Sequence, residues 1–221
     1  MHHYYESELQ RICDKLLLMG QKSIEAVRSA MNALEANDGE MATRVILLDD
    51  ELDQFEKAID GECVRYISLR GPVASDVRLL TLAMKACHDL ERVGDEASSI
   101  AKRVPAVNGG RAIRFQSDYL PRLTDAVLAQ LQQAITCFIN RDLSDAYAVT
   151  LSDKEIDELH RTHMRTVIAR AEAEIGGLQD MVDIVFISKS LERVGDHAKN
   201  VAEEVIYLLE GEDVRYTDRV R

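Results

Sequence analysis

The chain has 221 residues, enough for one large domain or two small ones, with only 3 prolines, 11 glycines and no tryptophan. Its formal net charge of −12 argues against binding along a nucleic-acid backbone, which requires a surplus of lysine and arginine. No segment reaches the roughly 18 apolar residues of a membrane span, and the first residues do not resemble a secretory signal. These features predict a cytoplasmic, helix-rich protein whose acidic surface suits cations or basic proteins. The four cysteines have no CxxC spacing and are expected to be free and at least half-buried.

Six long helical segments follow one another along the chain, covering about residues 4–36, 40–70, 73–104, 116–140, 143–175 and 178–210. The turns between them contain residues that end or cap helices, namely Asn37-Asp38-Gly39, Gly71-Pro72, Pro105 to Gly110, Arg141-Asp142 and Gly176-Gly177. Within the second, third and sixth segments, apolar residues recur at steps of three and four, as in helices packed nearly parallel. No alternation typical of a strand competes with this pattern, so an all-α fold is predicted.

The pentapeptide Glu-Arg-Val-Gly-Asp occurs twice, at residues 91–95 and 192–196. The surrounding sequence also repeats, with an offset of 104 residues over the first two helices of each half and 101 at the third. Such self-similarity indicates two copies of one three-helix unit. We therefore predict two tandem three-helix bundles, with domains at residues 1–105 and 106–221, packed either end to end or side by side.

Each half contains two pairs of acidic residues spaced four apart, which places both carboxylates of a pair on one helix face. The pairs are Asp49 with Asp53, Glu91 with Asp95, Asp153 with Asp157, and Glu192 with Asp196. Two pairs on neighbouring helices would form an all-oxygen site for Mg²⁺, Ca²⁺, Mn²⁺ or oxidised iron. The alternative is a set of solvated or arginine-paired acids, since the chain has 39 acidic residues. Each pair lies beside the row of apolar residues that recurs at steps of three and four along its helix, which we call the apolar seam. We therefore expect the pairs on the exposed surface of each bundle.

The glycine inside each pentapeptide needs an explanation, because glycine within a helix costs about 1 kcal/mol relative to alanine. Gly94 and Gly195 indicate either the close approach of a neighbouring helix or space for ions and bridging water. The preceding arginines, Arg92 and Arg193, are expected to form salt bridges with nearby acids.

Histidines are not shared between the halves. His160 and His163 have a ligand-like spacing, but other residues occupy their positions in the first half, which argues against their belonging to a repeated site. His197 is expected to be solvated, and His88 is not a convincing general base. The chain also has no Walker loop, GxSxG or HExxH sequence, so we predict that it is not an enzyme.

The repeated pentapeptide helices resemble those of the PhoU family of bacterial phosphate-uptake regulators. The turn at residues 70–78, Arg-Gly-Pro-Val-Ala-Ser-Asp-Val-Arg, and the segment at 198–204, Ala-Lys-Asn-Val-Ala-Glu-Glu, share this resemblance. It covers nearly the whole chain and implies tandem three-helix bundles, a homodimer, and surface metal clusters at E(D)xxxD motifs. Those motifs coincide here with Asp49/Asp53, Glu91/Asp95, Asp153/Asp157 and Glu192/Asp196. The implied ions are iron, zinc, manganese or magnesium.

The resemblance also implies a function. PhoU-like proteins link the subunits of the phosphate ABC transporter to the sensor histidine kinase of the phosphate two-component system. They keep the phosphate-starvation response off when phosphate is plentiful, and they restrain uptake. The implied partners are therefore these two and a second copy of the chain, with at most peripheral membrane association and no nucleic acid.

Three alternatives accompany this interpretation. A metal-storage or di-metal oxidase bundle is disfavoured, because such sites lie inside four helices and use Glu-x-x-His motifs. A metal-free helical adaptor would share the fold and most of the surface. A PhoU-like metal-binding adaptor or paralogue with a different regulatory duty would share the acidic pairs as well.

Overall fold

The computed structural model consists of six α-helices joined by short connections, with no strand in the part of the chain that it describes. It describes residues 2–110, 112–113, 117–173, 177–211 and 213–214. The helices are α1 (His2–Ala36), α2 (Gly39–Arg70), α3 (Ala74–Ala101), α4 (Tyr119–Asn140), α5 (Leu143–Ala173) and α6 (Leu178–Glu210), and a 3₁₀ helix (Pro105–Asn108) follows α3. All six predicted segments are confirmed to within a few residues. Residues 116 and 174–175 of those segments lie outside the described part.

The helices end where the sequence predicts. The Asp38 carboxylate caps α2 by accepting a hydrogen bond of 2.9 Å from the backbone N–H of Met41. Gly71 ends the same helix in the left-handed conformation, with φ of 56°, and Pro72 prevents the helix from continuing. Arg141 terminates α4 with φ of 50°. These local contacts explain why the turns could be located without tertiary information.

The two sets of three helices lie side by side, with α3 packed against α6 and α1 against α4. Ion pairs across the α3–α6 interface show that these helices are antiparallel: Lys85 with Glu204, Glu96 with Arg193, and Arg103 with Asp183. The buried apolar side chains of both halves form one continuous cluster. Of the two arrangements left open by the sequence, the structure has the side-by-side one, while the domain boundary after residue 105 stays a prediction.

The apolar seams of α3 and α6 form the centre of the core. The predicted seam positions of the third segment are all buried, namely Leu79, Ala83, Ala86, Leu90, Val93, Ala97, Ile100 and Val104. Those of the sixth segment are buried at Ile184, Ile187, Leu191, Val194, Ala198, Val201 and Val205, and the last of them, Leu208, is half-buried. Along α2 the seam alternates between buried and half-buried residues, so this helix covers the core with a narrower face and leaves the flank that carries Asp49 and Asp53 partly open. The cysteines are free and buried apart from half-buried Cys13, as predicted. No helix within the described ranges is both long and apolar enough to cross a bilayer.

The arginine of the repeated pentapeptide has different surroundings in its two copies. Arg193 lies 2.5 Å from Glu96 across the interface, and that glutamate side chain is only 8% exposed. Arg92 instead contacts Asp95 on its own helix at 2.8 Å, in a solvent-exposed pair. Both arginines therefore form salt bridges to nearby acidic residues, as predicted.

The two arginines should therefore contribute unequally to stability. Arg193→Ala leaves a buried carboxylate without this counter-ion, so we expect the free energy of unfolding to fall by about 2 kcal/mol. Arg92→Ala removes an exposed pair and should cost less than about 1 kcal/mol. Urea denaturation followed by circular dichroism measures both values, and equal losses in the two variants would contradict this difference.

Candidate metal-binding grooves

Each three-helix unit brings its acidic pairs together in a groove between its second and third helices. The first groove, between α2 and α3, contains the carboxylates of Asp49, Asp53, Glu56, Glu91 and Asp95. Gly94 lies at its floor, where a Cβ atom would overlap Leu52 Cδ1 and lie 3.3 Å from Asp49 Oδ1. Of the two explanations for the repeated glycine, the close approach of a neighbouring helix is therefore the correct one.

A histidine completes the first groove. His88 Nδ1 is 2.9 Å from Glu56 Oε1. Glu56, His88 and Glu91 each offer one ligand atom, and the three atoms lie within 4.8 Å of one another. A mixture of imidazole and carboxylate donors suits Mn²⁺, Fe²⁺ or Zn²⁺ better than Mg²⁺ or Ca²⁺. Neither Glu56 nor His88 is among the ligands predicted from the sequence.

The carboxylates of the first groove disfavour one another's ionisation. Burial, followed by the negative charge of Asp95, raises the pKa of both Asp49 and Glu91. Arg92 offsets part of this repulsion, since its guanidinium lies 3.4 Å from Glu91 and 2.8 Å from Asp95. A cation bound between the helices would stabilise the ionised carboxylates further and release their protons.

One buried carboxylate oxygen of the first groove, Glu91 Oε2, has no hydrogen-bond partner among the described residues. Ser98 is fully buried, and hydrogen bonding from its hydroxyl to the Asp49 carboxylate opposes the effect of burial on the pKa of Asp49. Glu91 Oε2 has only the Arg92 Nε contact at 3.4 Å, which is long for a hydrogen bond. Buried polar atoms in proteins nearly always have partners, so the groove fits a metal ion with its bound water.

The second groove, between α5 and α6, contains Asp153, Asp157, Glu192 and Asp196. A Cβ atom at Gly195 would lie 3.2 Å from both Ile156 Cγ2 and Gln130 Oε1, so close helix packing again explains the glycine. Partial burial, followed by the charges of Glu192 and Asp153, raises the pKa of Asp196 to about 6, even though more than a third of this residue is exposed. The four carboxylates thus lie close enough to interact.

Two lysines extend into the second groove. Lys199 Nζ donates a hydrogen bond of 2.8 Å to Asp153 Oδ2, and Lys189 forms a short ion pair with Glu192. In the repeat alignment these lysines occupy the positions of Ser98 and His88. The two grooves therefore share their acidic pairs but differ in the side chains around them.

The prediction that the acidic pairs are exposed is wrong for Asp153, which is 7% exposed. Asp196 is exposed, and the other six members are half-buried. The cause is the close approach of α2 to α3 and of α5 to α6, which Gly94 and Gly195 permit. This approach converts two neighbouring helix flanks into a groove.

His160, His163 and His197 make other contacts. The Nδ1 atoms of His160 and His163 lie 2.9 and 3.0 Å from the Ser188 hydroxyl oxygen. His197 is half-buried, with Nδ1 2.9 Å from Asp89 Oδ1 across the α3–α6 interface. The expectation of a solvated His197 is therefore wrong, because the side-by-side packing of the halves covers this position.

Two copies of a three-helix unit, each with an acidic groove, define an all-α tandem-repeat protein. The PhoU domain model matches residues 16–104 and 120–205, one match in each half. The chain belongs to the PhoU family. Because this is a family of regulatory accessory proteins, the prediction that the chain is not an enzyme is confirmed.

Relatives resemble the chain over nearly its full length. The phosphate-specific transport system accessory protein PhoU homolog of Pseudomonas aeruginosa is 36% identical over 224 residues, spanning 100% of this chain and 92% of that protein. The homolog of Clostridium acetobutylicum is 30% identical, spanning 97% and 98%. The crystal structure of PhoU from Pseudomonas aeruginosa matches with a TM-score of 0.89 at 35% identity, covering 94% of this chain and 100% of that one. The phosphate transport system regulatory protein PhoU from Streptococcus pneumoniae matches with a TM-score of 0.88 at 28% identity, covering 95% and 99%.

Proposed function

We propose that this protein is an accessory regulator of a phosphate-specific transport system. In this role it restrains phosphate uptake and holds the phosphate-starvation response off when phosphate is plentiful. The observation that carries the proposal is the family match in both halves, together with full-length relatives named as accessory proteins of that system. Because the similarity spans both grooves and the interface between the halves, it concerns the whole fold rather than one module.

The partners in this proposal are the subunits of the phosphate ABC transporter and the sensor histidine kinase of the phosphate two-component system. Long helices offer separate surfaces to two such proteins, since the 35 residues of α1 span about 50 Å. Exposed apolar side chains such as Leu69 and Leu178, at 63% and 68%, support contacts with protein partners. A second copy of the chain is a further partner, in the cytoplasm or at the membrane periphery.

The proposal includes metal ions, with iron, zinc, manganese and magnesium as candidates. It is supported by the clustered carboxylates, by the raised pKa values of Asp49, Glu91 and Asp196, and by the unpartnered Glu91 Oε2. A bound cation would reduce the charge repulsion in a groove and present open coordination positions to an acidic partner surface. The protein's own contribution is to hold the carboxylates at fixed positions on two packed helices.

Deletion of the gene tests the regulatory role directly. In cells grown with abundant phosphate, we expect alkaline phosphatase activity to rise strongly on deletion and to return to its original level when the gene is restored. A second deletion that removes the sensor kinase should abolish the rise, because the signal is proposed to pass through that protein. Unchanged low activity after the first deletion would contradict the proposal and favour a paralogue with another duty.

A further inference from the structure

We propose that His160, Ser188 and His163 form a hydrogen-bond relay that holds one added proton while α5 stays packed on α6, and that a second proton drives these two helices apart. The relay is a pH-sensitive device in the second half of the chain. It uses residues to which the proposed transport role assigns no task.

The relay consists of a buried hydroxyl group shared by two imidazole rings. Ser188 Oγ lies 2.9 Å from His160 Nδ1 and 3.0 Å from His163 Nδ1. Ser188 and His163 are fully buried, and His160 is half-buried. Because a hydroxyl group has a single hydrogen, it donates to only one of the rings and must accept the Nδ1–H of the other. The relay is therefore satisfied when one Nδ1 atom carries a hydrogen and the other does not.

The surroundings of the two rings direct the first added proton to His160. Burial lowers the pKa of His160, but the charges of Glu192 and Asp157 counteract this effect. The ammonium group of Lys189 acts in the same direction as burial. At His163, burial and then the charge of His160 lower the pKa to about 4. Among the described residues, the main electrostatic influences on both rings come from α5 and α6, and none comes from α4.

Protonation of His160 fixes the direction of both hydrogen bonds. The charged ring carries a hydrogen on each nitrogen, so its Nδ1 donates to Ser188 Oγ. The hydroxyl hydrogen then points to His163 Nδ1, which accepts it. The neutral ring of His163 consequently holds its own hydrogen on Nε2.

A second proton, on His163, is incompatible with the packed relay. Both Nδ1 atoms would donate to the same oxygen, so neither ring could accept the hydroxyl hydrogen of Ser188. The two Nδ1 atoms are no more than about 6 Å apart, because each lies within 3.0 Å of that oxygen, and two charged rings at this distance repel each other. Since Ser188 belongs to α6 and both histidines belong to α5, separation of these helices relieves both conflicts.

The first half of the chain provides an internal control. In the repeat alignment, the positions equivalent to the three relay residues are occupied by Glu56, Ile59 and Cys87. This half has no pair of imidazole rings at the corresponding place, so α2 and α3 cannot open by the same route.

Hydrogen exchange measured by mass spectrometry between pH 7 and pH 4, corrected for the intrinsic effect of pH, compares the two pairs of helices. As the pH approaches 4, we expect peptides of α5 and α6 to exchange about tenfold faster or more relative to those of α2 and α3. His160→Gln keeps a hydrogen-bonding group but cannot take up a proton, so it should abolish this selective increase. His88→Gln, at an exposed histidine of the first half, is the matched control and should retain it.

Two results would overturn the inference. One is a His160→Gln protein whose α5 and α6 open at the same pH as in the unmodified protein, and the other is simultaneous opening of both helix pairs. Nitrogen-15 NMR of the histidine rings tests the relay independently. Once His160 is protonated, His163 should carry its hydrogen on Nε2, and a hydrogen on Nδ1 would contradict the direction of the relay. Thermal unfolding at pH 7 verifies that each variant retains the fold.

Discussion

Replacing Gly94 with valine should lower the free energy of unfolding by about 3 kcal/mol and force α2 away from α3. A side chain at this position would overlap Leu52 Cδ1 and approach Asp49 Oδ1 at 3.3 Å. Leu52 is fully buried, so it can move only by disturbing the core around it. The added methyl groups therefore cost packing energy that exceeds the small gain in helix propensity.

Gly61 provides the matched control for this prediction. It lies within α2, and a Cβ atom there would meet nothing within 4 Å. Gly61→Val should change the free energy of unfolding by only a few tenths of a kcal/mol, about the difference in helix propensity between the two residues. Gly195→Val should fall between the two, because its nearest contacts are at 3.2 Å. Urea denaturation monitored at 222 nm ranks the three variants, and a Gly94→Val protein as stable as the unmodified one would refute the packing explanation.

Acidification should destabilise the protein through His163 by about 3 kcal/mol in total. Burial, followed by the positive charge of His160, lowers the pKa of His163 from 6.5 to about 4. The folded protein therefore binds this proton less readily than the unfolded chain does. The stability contributed by the neutral ring is present above the unfolded pKa of 6.5 and is lost as the pH falls from there to about 4.

His163→Gln isolates this contribution, since glutamine has no titratable group. Denaturation curves recorded between pH 8 and pH 4 should show a smaller loss of stability for the variant than for the unmodified protein. Asp49, Glu91 and Asp196 act in the opposite direction, because their raised pKa values stabilise the folded state as the pH falls. They are present in both proteins, so the difference between the curves reports His163. Parallel curves would show that the ring is not the acid-sensitive group.

The internal repeat is an incomplete guide to the side chains that surround each groove. The counterpart of His88 in the other half is Lys189, so the repeat gives no reason to include His88 in a site. The structure instead places His88 beside Glu56 and Glu91. A local indication existed, because His88 and Glu91 are three residues apart and therefore share a helix face. Differences between the repeats are visible only when the surroundings of each copy are compared.

The sequence by itself determined the six helices, their turns, the apolar seams of α3 and α6, and the helix face that each acidic pair occupies. These features depend on residues close together in the chain: a cap such as Asp38, a left-handed turn at Gly71, and a hydrophobic period of three and four. The internal repeat and the family resemblance are equally properties of the chain alone.

Only the tertiary structure decided how far the acidic pairs are buried, why Gly94 and Gly195 are glycines, and which side chains complete each groove. Each of these depends on the distance and rotation of one helix relative to another, which no local pattern encodes. Lys199 reaches Asp153 across 46 residues, and Arg193 reaches Glu96 in the other half. Helix periodicity specifies the face on which a charge lies, but packing alone determines which charges meet and whether two similar grooves have the same chemistry.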